Sequence, residues 1–115
     1  MLPSGGDEII KYKCWYLYIL RCCDNSLYTG ITLDIHKRMQ AHKIGHGSKY
    51  VRSRLPFTLV AWWLFKASKS DISRIERKVK SLPGPQKRLL VKDPSLLFYY
   101  CGSPGESTIL LGRKI

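Results

Sequence analysis

The residues of this chain whose types and spacing suit chemistry on a phosphate are two tyrosines, an arginine, a histidine and one late glutamate. Tyr18 and Tyr28 stand in two apolar, aromatic runs, WYLYILR and LYTGI, separated by a turn-forming stretch that contains Asp24, Asn25 and Ser26. Arg38 and His42 follow, four residues or about one helical turn apart. Next comes GHGSKYVRSRLP, where Lys49, Arg52 and Arg54 interleave with Tyr50. Guanidinium groups offer paired donors to phosphoryl oxygens. An aromatic ring set among cations suits backbone contact with a base stacked on the ring. Lys49, Tyr50, Arg52 and Arg54 are therefore the candidate nucleic-acid-binding residues. Glu76 shares its segment with Lys69, Arg74, Arg77, Lys78 and Lys80, and Asp71 is the only other acid there. Near a phosphate, such a carboxylate can hold a Mg²⁺ whose remaining ligands are water and substrate oxygens. On an ordinary surface it would pair with Lys80, for a few tenths of a kcal/mol.

These groups need elements to position them. Tyr16, Tyr18 and Leu20 alternate with Leu17, Ile19 and Arg21, which predicts a strand covered on both faces. Leu27 to Ile31 is a second, short strand. A three-residue loop at Asp24, Asn25 and Ser26 sets Cys23 opposite Leu27 and turns Tyr18 and Tyr28 to the same side. It leaves four residues, about 13 Å, between the tyrosines along the strands. Gly30 lets the backbone approach something closely or relieves a bend. Thr32 or Asp34 caps a helix to about Ile44, on which Ile35, Arg38, Met39 and His42 share a face. Gly45 to Lys49 ends that helix and begins a mobile loop. Thr58 to Phe65 is the most apolar run and reads as the central buried strand. Ser68 and Asp71 open a helix with a buried stripe of Ile72, Ile75, Val79 and Leu82, and Glu76 lies at its edge. Leu82-Pro-Gly-Pro85 stops it, and Gln86 to Lys92 predicts a third helix ending before Pro94. The remaining apolar runs fit either a hairpin or an irregular arm.

Composition narrows the function. The 115 residues carry a net charge of +12, which favours a polyanionic partner. The cations do not line one amphipathic helix, so nucleic acid is expected ahead of a membrane. Cys22 and Cys23 are adjacent on an alternating strand and point to opposite faces, which argues against a shared zinc. With no C-x-x-C motif, signal peptide or transmembrane run, reduced thiols in a cytoplasmic protein are expected.

WYLYILRCCDNSLYTGIT, then Arg38, His42 and GSKYVRSRLP, resembles the GIY-YIG nuclease domain, nearest its small, single-domain bacterial branch. The likeness runs from about Trp15 to Leu90. Its first triplet stands here as Tyr16-Leu17-Tyr18 and its second as Tyr28-Thr29-Gly30. The resemblance implies an α+β fold, a small three-stranded antiparallel sheet flanked by helices. Pro, Gly and charge in residues 1–11 predict a flexible lead. The nuclease-like domain follows over 12–92, then a C-terminal extension of undetermined structure over 93–115, which the likeness does not cover. The resemblance also implies a metal-dependent endonuclease, using Mg²⁺ or Mn²⁺, with DNA ahead of RNA as the partner and repair or recombination as the setting. The alternative is a nucleic-acid-binding module of weak or lost activity on the same fold. By the same resemblance Glu76 is the metal ligand and Arg38 stabilises charge developing on the phosphate. A tyrosine, Tyr18 or Tyr28, or else His42, helps to deprotonate the attacking water. With no appended recognition domain, target choice is expected to come from this domain, its tail or a protein partner.

Overall fold

The computed structural model describes residues 11–102 and 109–113, so the expected N-terminal lead lies almost wholly outside the described residues. Four antiparallel strands form one sheet, β1 (Lys13–Arg21), β2 (Leu27–Thr32), β3 (Thr58–Ala67) and β4 (Ile109–Arg113), in the order β2-β1-β3-β4. The expected three-stranded sheet is β2-β1-β3, with β1 in its middle. β3 becomes an interior strand because β4 pairs along its other side, from Ala61↔Arg113 to Phe65↔Ile109. A bulge between Ile19 and Leu20 lets Val60 sit as an extra residue on β3.

The hairpin closes one position earlier than expected. Arg21 pairs with Leu27, the Cys22 N–H donates to the Ser26 carbonyl at 2.9 Å, and Asn25 takes a positive φ of 68°. The three-residue loop is thus Cys23, Asp24 and Asn25. Asparagine tolerates the left-handed region, and the Asp24 carboxylate accepts from the Ser26 N–H at 3.1 Å, so this turn satisfies its own polar groups. The shift moves the register by two residues and so preserves the faces. Tyr18 lies opposite Gly30 and Leu20 opposite Tyr28, which brings the tyrosines much closer than four residues of strand would allow.

Each face of the sheet has its own cover. Leu17, Ile19, Ala61, Trp63 and Phe65 pack against Ile72, Ile75 and Val79 of α3 (Lys69–Ser81) and Leu90 of α4 (Gly84–Lys92). The chain then passes through a 3₁₀ turn, Pro94–Leu96, into α5 (Leu97–Cys101), whose Leu97 and Cys101 join that core. The buried Trp63 indole N–H donates to the Pro94 carbonyl at 2.9 Å, which ties this region to the sheet. The first apolar run of the tail is helical and the second supplies an edge strand, so the tail is not a hairpin. On the other face Tyr18, Leu20 and Cys22 meet α1 (Ile35–Lys43) and α2 (Lys49–Arg52).

The local signals explain the helix ends. Asp34 caps α1 by accepting from the Lys37 N–H at 3.0 Å, and Ser68 caps α3 by accepting from the Asp71 N–H at 3.1 Å. Residues 45–48 turn after α1 as expected. From Lys49 on the segment is a short helix, α2, rather than a loop, because Ser48 accepts from the Val51 N–H at 3.1 Å and Val51 is buried in the second core. All four cysteines are free thiols, Cys22 buried and Cys23 exposed. Among the described residues no helix is long and apolar enough to cross a membrane.

Candidate active site

Tyr18 is fully buried at the middle of β1, and its phenol lies across the backbone of β2. A Cβ added to Gly30 would stand 2.5 Å from Tyr18 Oη, so the glycine is what allows that approach. From the opposite side α1 contributes two groups. Tyr18 Oη lies 2.8 Å from His42 Nε2, and Arg38 Nε donates to Tyr18 Oη over a long 3.4 Å. One arrangement gives the phenol both a donor and an acceptor: Tyr18 accepts from Arg38 and donates its proton to Nε2 of a neutral His42. His42 then carries its own proton on Nδ1, which is buried without a hydrogen-bond partner.

Gly47 completes this cluster. Its carbonyl accepts from Arg38 Nη2 at 2.9 Å, and any Cβ on it would collide with the His42 imidazole. Sequence reasoning placed Gly47 only in a loop; the Gly-His-Gly spacing after a helix carrying Arg and His was the available signal. Phe57 was also missed, and its ring meets His42 edge-on at 5.8 Å.

Burial fixes the protonation states. It pushes the Tyr18 phenol up to about 12; the hydrogen bond from Arg38 opposes this, and the charges of Tyr28 and Glu76 add to it. Burial, with the Arg38 charge, pulls His42 down to about 4. The Arg38 guanidinium is held charged more firmly than usual, chiefly through its hydrogen bond to Tyr18. Making the Tyr18 phenolate at pH 7 therefore costs about 7 kcal/mol in the protein alone. A fully buried phenol of this kind is poorly placed to take a proton from bulk water.

Tyr28 is the half-buried member of the pair. Its ring packs 6.3 Å from Tyr18, 5.5 Å from His42 and 5.9 Å from Tyr50, with which it stacks at 25°. Of the candidate nucleic-acid-binding residues, Lys49, Tyr50 and Arg52 are exposed on α2. Arg54 is already engaged. It lies 3.8 Å over the Tyr50 ring, donates to Asp24 Oδ2 at 3.0 Å and to the Tyr50 carbonyl at 3.1 Å. It thus braces Tyr50 against the hairpin loop, a role that the sequence did not foreshadow for Asp24.

Glu76 comes from α3, which packs on the other face of the sheet and also against the edge strand β2. Its side chain is only 18% exposed, and its charge makes only the smallest of the contributions that raise the Tyr18 phenol. Lys80 Nζ lies 3.4 Å from its Oε2, so the surface pairing expected for a helix also forms. Among the described residues no group of three or more His, Cys, Asp or Glu lies together, so they offer no all-protein metal cage. A single, largely shielded carboxylate that exchanged Lys80 for a cation would suit a Mg²⁺-like ion keeping most of its ligands as water and phosphate oxygens.

The sequence profile described as the GIY-YIG catalytic domain matches residues 14–89. A UPF0213 protein of Halalkalibacterium halodurans is 49% identical over 76 residues, 66% of this chain and 80% of that protein. A UPF0213 protein of Pectobacterium carotovorum is 41% identical over 86 residues, 75% of this chain and 86% of its own. The solution NMR structure of a UPF0213 protein from Bacillus halodurans is 47% identical, covering 69% of this chain and 83% of that one, with a TM-score of 0.46.

Proposed function

Because the chain belongs to the GIY-YIG catalytic domain family, we propose that it is an endonuclease that hydrolyses DNA phosphodiester bonds with a divalent cation, Mg²⁺ or Mn²⁺. The observation that carries this reading is the joining of Tyr18 Oη to both His42 Nε2 and Arg38 Nε, beside Tyr28. Three consecutive elements, β1, β2 and α1, converge there, and a fold needing only stability would fill such a core position with apolar side chains.

The reaction is attack of water on phosphorus, with one P–O ester bond breaking and a sugar oxygen leaving. Arg38 keeps its charge throughout and faces the non-bridging oxygens, where negative charge builds in the transition state. Tyr28 is the phenol that water reaches, so it holds the attacking water and receives its hydrogen bond. Tyr18 and His42 are buried behind it, and they fix Arg38 and Tyr28 in place. Glu76 would hold the cation, which supplies Lewis acidity and a more acidic bound water. Lys49, Tyr50 and Arg52 contact the flanking backbone, and repair or recombination in the cytoplasm is the setting that fits.

Purified protein is expected to nick branched or flapped DNA only when Mg²⁺ or Mn²⁺ is present. Glu76→Ala abolishes cutting and leaves binding largely intact, and Arg38→Ala lowers the rate by about 10²–10³-fold. Equal residual cutting by both variants and the wild type would mean contamination and end the enzyme reading. A second reading, a binding module with little turnover, is favoured by the complete burial of Tyr18 and His42. The same assay separates the two, because a module binds with the same salt dependence but does not cut.

A further inference from the structure

The hairpin loop is gripped from both sides by arginines. Arg54, following α2, holds Asp24 at 3.0 Å, and Arg88 of α4 donates from Nη2 to the Asn25 carbonyl at 2.9 Å. Behind the Arg88 contact lies a cleft between the hairpin and α4, on the face of the sheet opposite Tyr28. Arg21, Arg88 and Lys92 stand around it, and Leu27, Val60 and Val91 form its floor.

This arrangement is costly for a fold that needs only stability. All three cations are exposed, and among the described residues none forms an ion pair with a carboxylate. Like charges around one concavity repel, and an apolar floor weakens screening between them. Asp93, next to Lys92, is occupied in accepting from the Ser95 N–H at 3.2 Å. The cleft lies behind the proposed site across the hairpin: Leu27 on its floor directly precedes Tyr28 on β2 and faces the other side of the sheet.

We propose that this cleft is a second phosphate-binding site, which takes backbone phosphates of the nucleic acid flanking the scissile bond. The inference rests on the DNA reading above and extends it. A strand leaving Tyr28 past the hairpin tip meets Lys49 and Arg52 on one flank, then Arg21, Arg88 and Lys92 on the other. The hairpin tip is thus a ridge over which the backbone is led, and the arginines that hold its loop keep that ridge rigid.

The test is the salt dependence of binding to a flapped DNA duplex, measured by fluorescence anisotropy with Ca²⁺ in place of Mg²⁺. Every phosphate of B-form DNA that a variant no longer neutralises flattens the slope of log affinity against log salt by about 0.9. The double variant R21Q/K92Q is expected to flatten it by about 2, and K92Q alone by about 1. A control with the same charge change at the far end of the sheet, K13Q/K66Q, is expected to leave the slope unchanged. Equal slopes for R21Q/K92Q and the control would overturn the proposal, because only overall charge would then matter. A free nucleoside monophosphate that binds the wild type, but not R21Q/K92Q, while the DNA slope stays unchanged would also overturn it. Failure of the wild-type protein to bind DNA at all would instead remove the nucleic-acid reading on which the cleft depends.

Discussion

Acidification from pH 7 to pH 4 tests the Tyr18–His42 pair directly, because it asks a buried neutral imidazole to take a charge. His42 has no exposed surface, and burial beside the Arg38 charge pulls it from 6.5 to about 4. Between those two values the unfolded chain binds a proton that the folded chain refuses, so stability is lost as pH falls through that window. At about 1.4 kcal/mol per pH unit, and with the folded form half protonated at pH 4, the loss comes to about 3 kcal/mol. Carboxylates elsewhere add their own acid dependence, so the quantity to measure is a difference. Urea unfolding of the wild type and of His42→Gln, followed by tryptophan fluorescence through the buried Trp63, supplies it at pH 7, 5.5 and 4. The advantage of the wild type over the variant should shrink by about 3 kcal/mol across that range. A difference that stays constant from pH 7 to pH 4 would refute the reasoning, since His42 would then titrate alike in both states.

Three further substitutions probe the same cluster and its surroundings. Tyr18→Phe leaves the buried His42 with no partner on either nitrogen and should cost about 1–3 kcal/mol in urea unfolding. The same variant should lose an alkaline limb: the folded wild type keeps its phenol protonated to about 12, so its stability falls as pH rises from about 10 to 12, and a phenylalanine cannot show that slope. Gly30→Ala forces the Tyr18 ring aside and should cost about 1–3 kcal/mol, with nicking impaired; a neutral effect on both would show that the phenol does not lie across β2. Arg54→Ala removes a half-exposed ion pair and a cation–π contact, and should lower stability by about 1 kcal/mol or less, measured as a urea midpoint that converges with the wild type at high salt.

The three-stranded antiparallel sheet followed from the family resemblance. Periodicity in the sequence was enough for its individual strands and, to within about two residues at the ends, for helices at 35–43, 69–81 and 84–92, because these have an apolar stripe and recognisable start or stop signals. It was enough, too, for Arg38 and His42 to share a face, since four residues make about one turn. The face shared by Tyr18 and Tyr28 also follows from loop parity, although the register was off by two residues. Which three residues form the turn is decided by hydrogen bonds of Cys22, Asp24 and Ser26, and alternation alone is blind to a shift of two.

What the sequence could not supply was the meeting of side chains from separate elements. The approach of Tyr18 to His42, 24 residues later, depends on how α1 lies on the sheet. Its closeness depends on two glycines, Gly30 and Gly47, whose missing side chains leave room for the phenol and the imidazole. The shifts of those two groups are likewise tertiary, because desolvation arises only when several elements close around them. The same holds for Arg54, whose basic character reads as a phosphate contact until Asp24 and Tyr50 are found beneath it. Residue type and spacing thus determined which groups are available for chemistry, and packing decided which are reachable, which are neutral and which are held as supports.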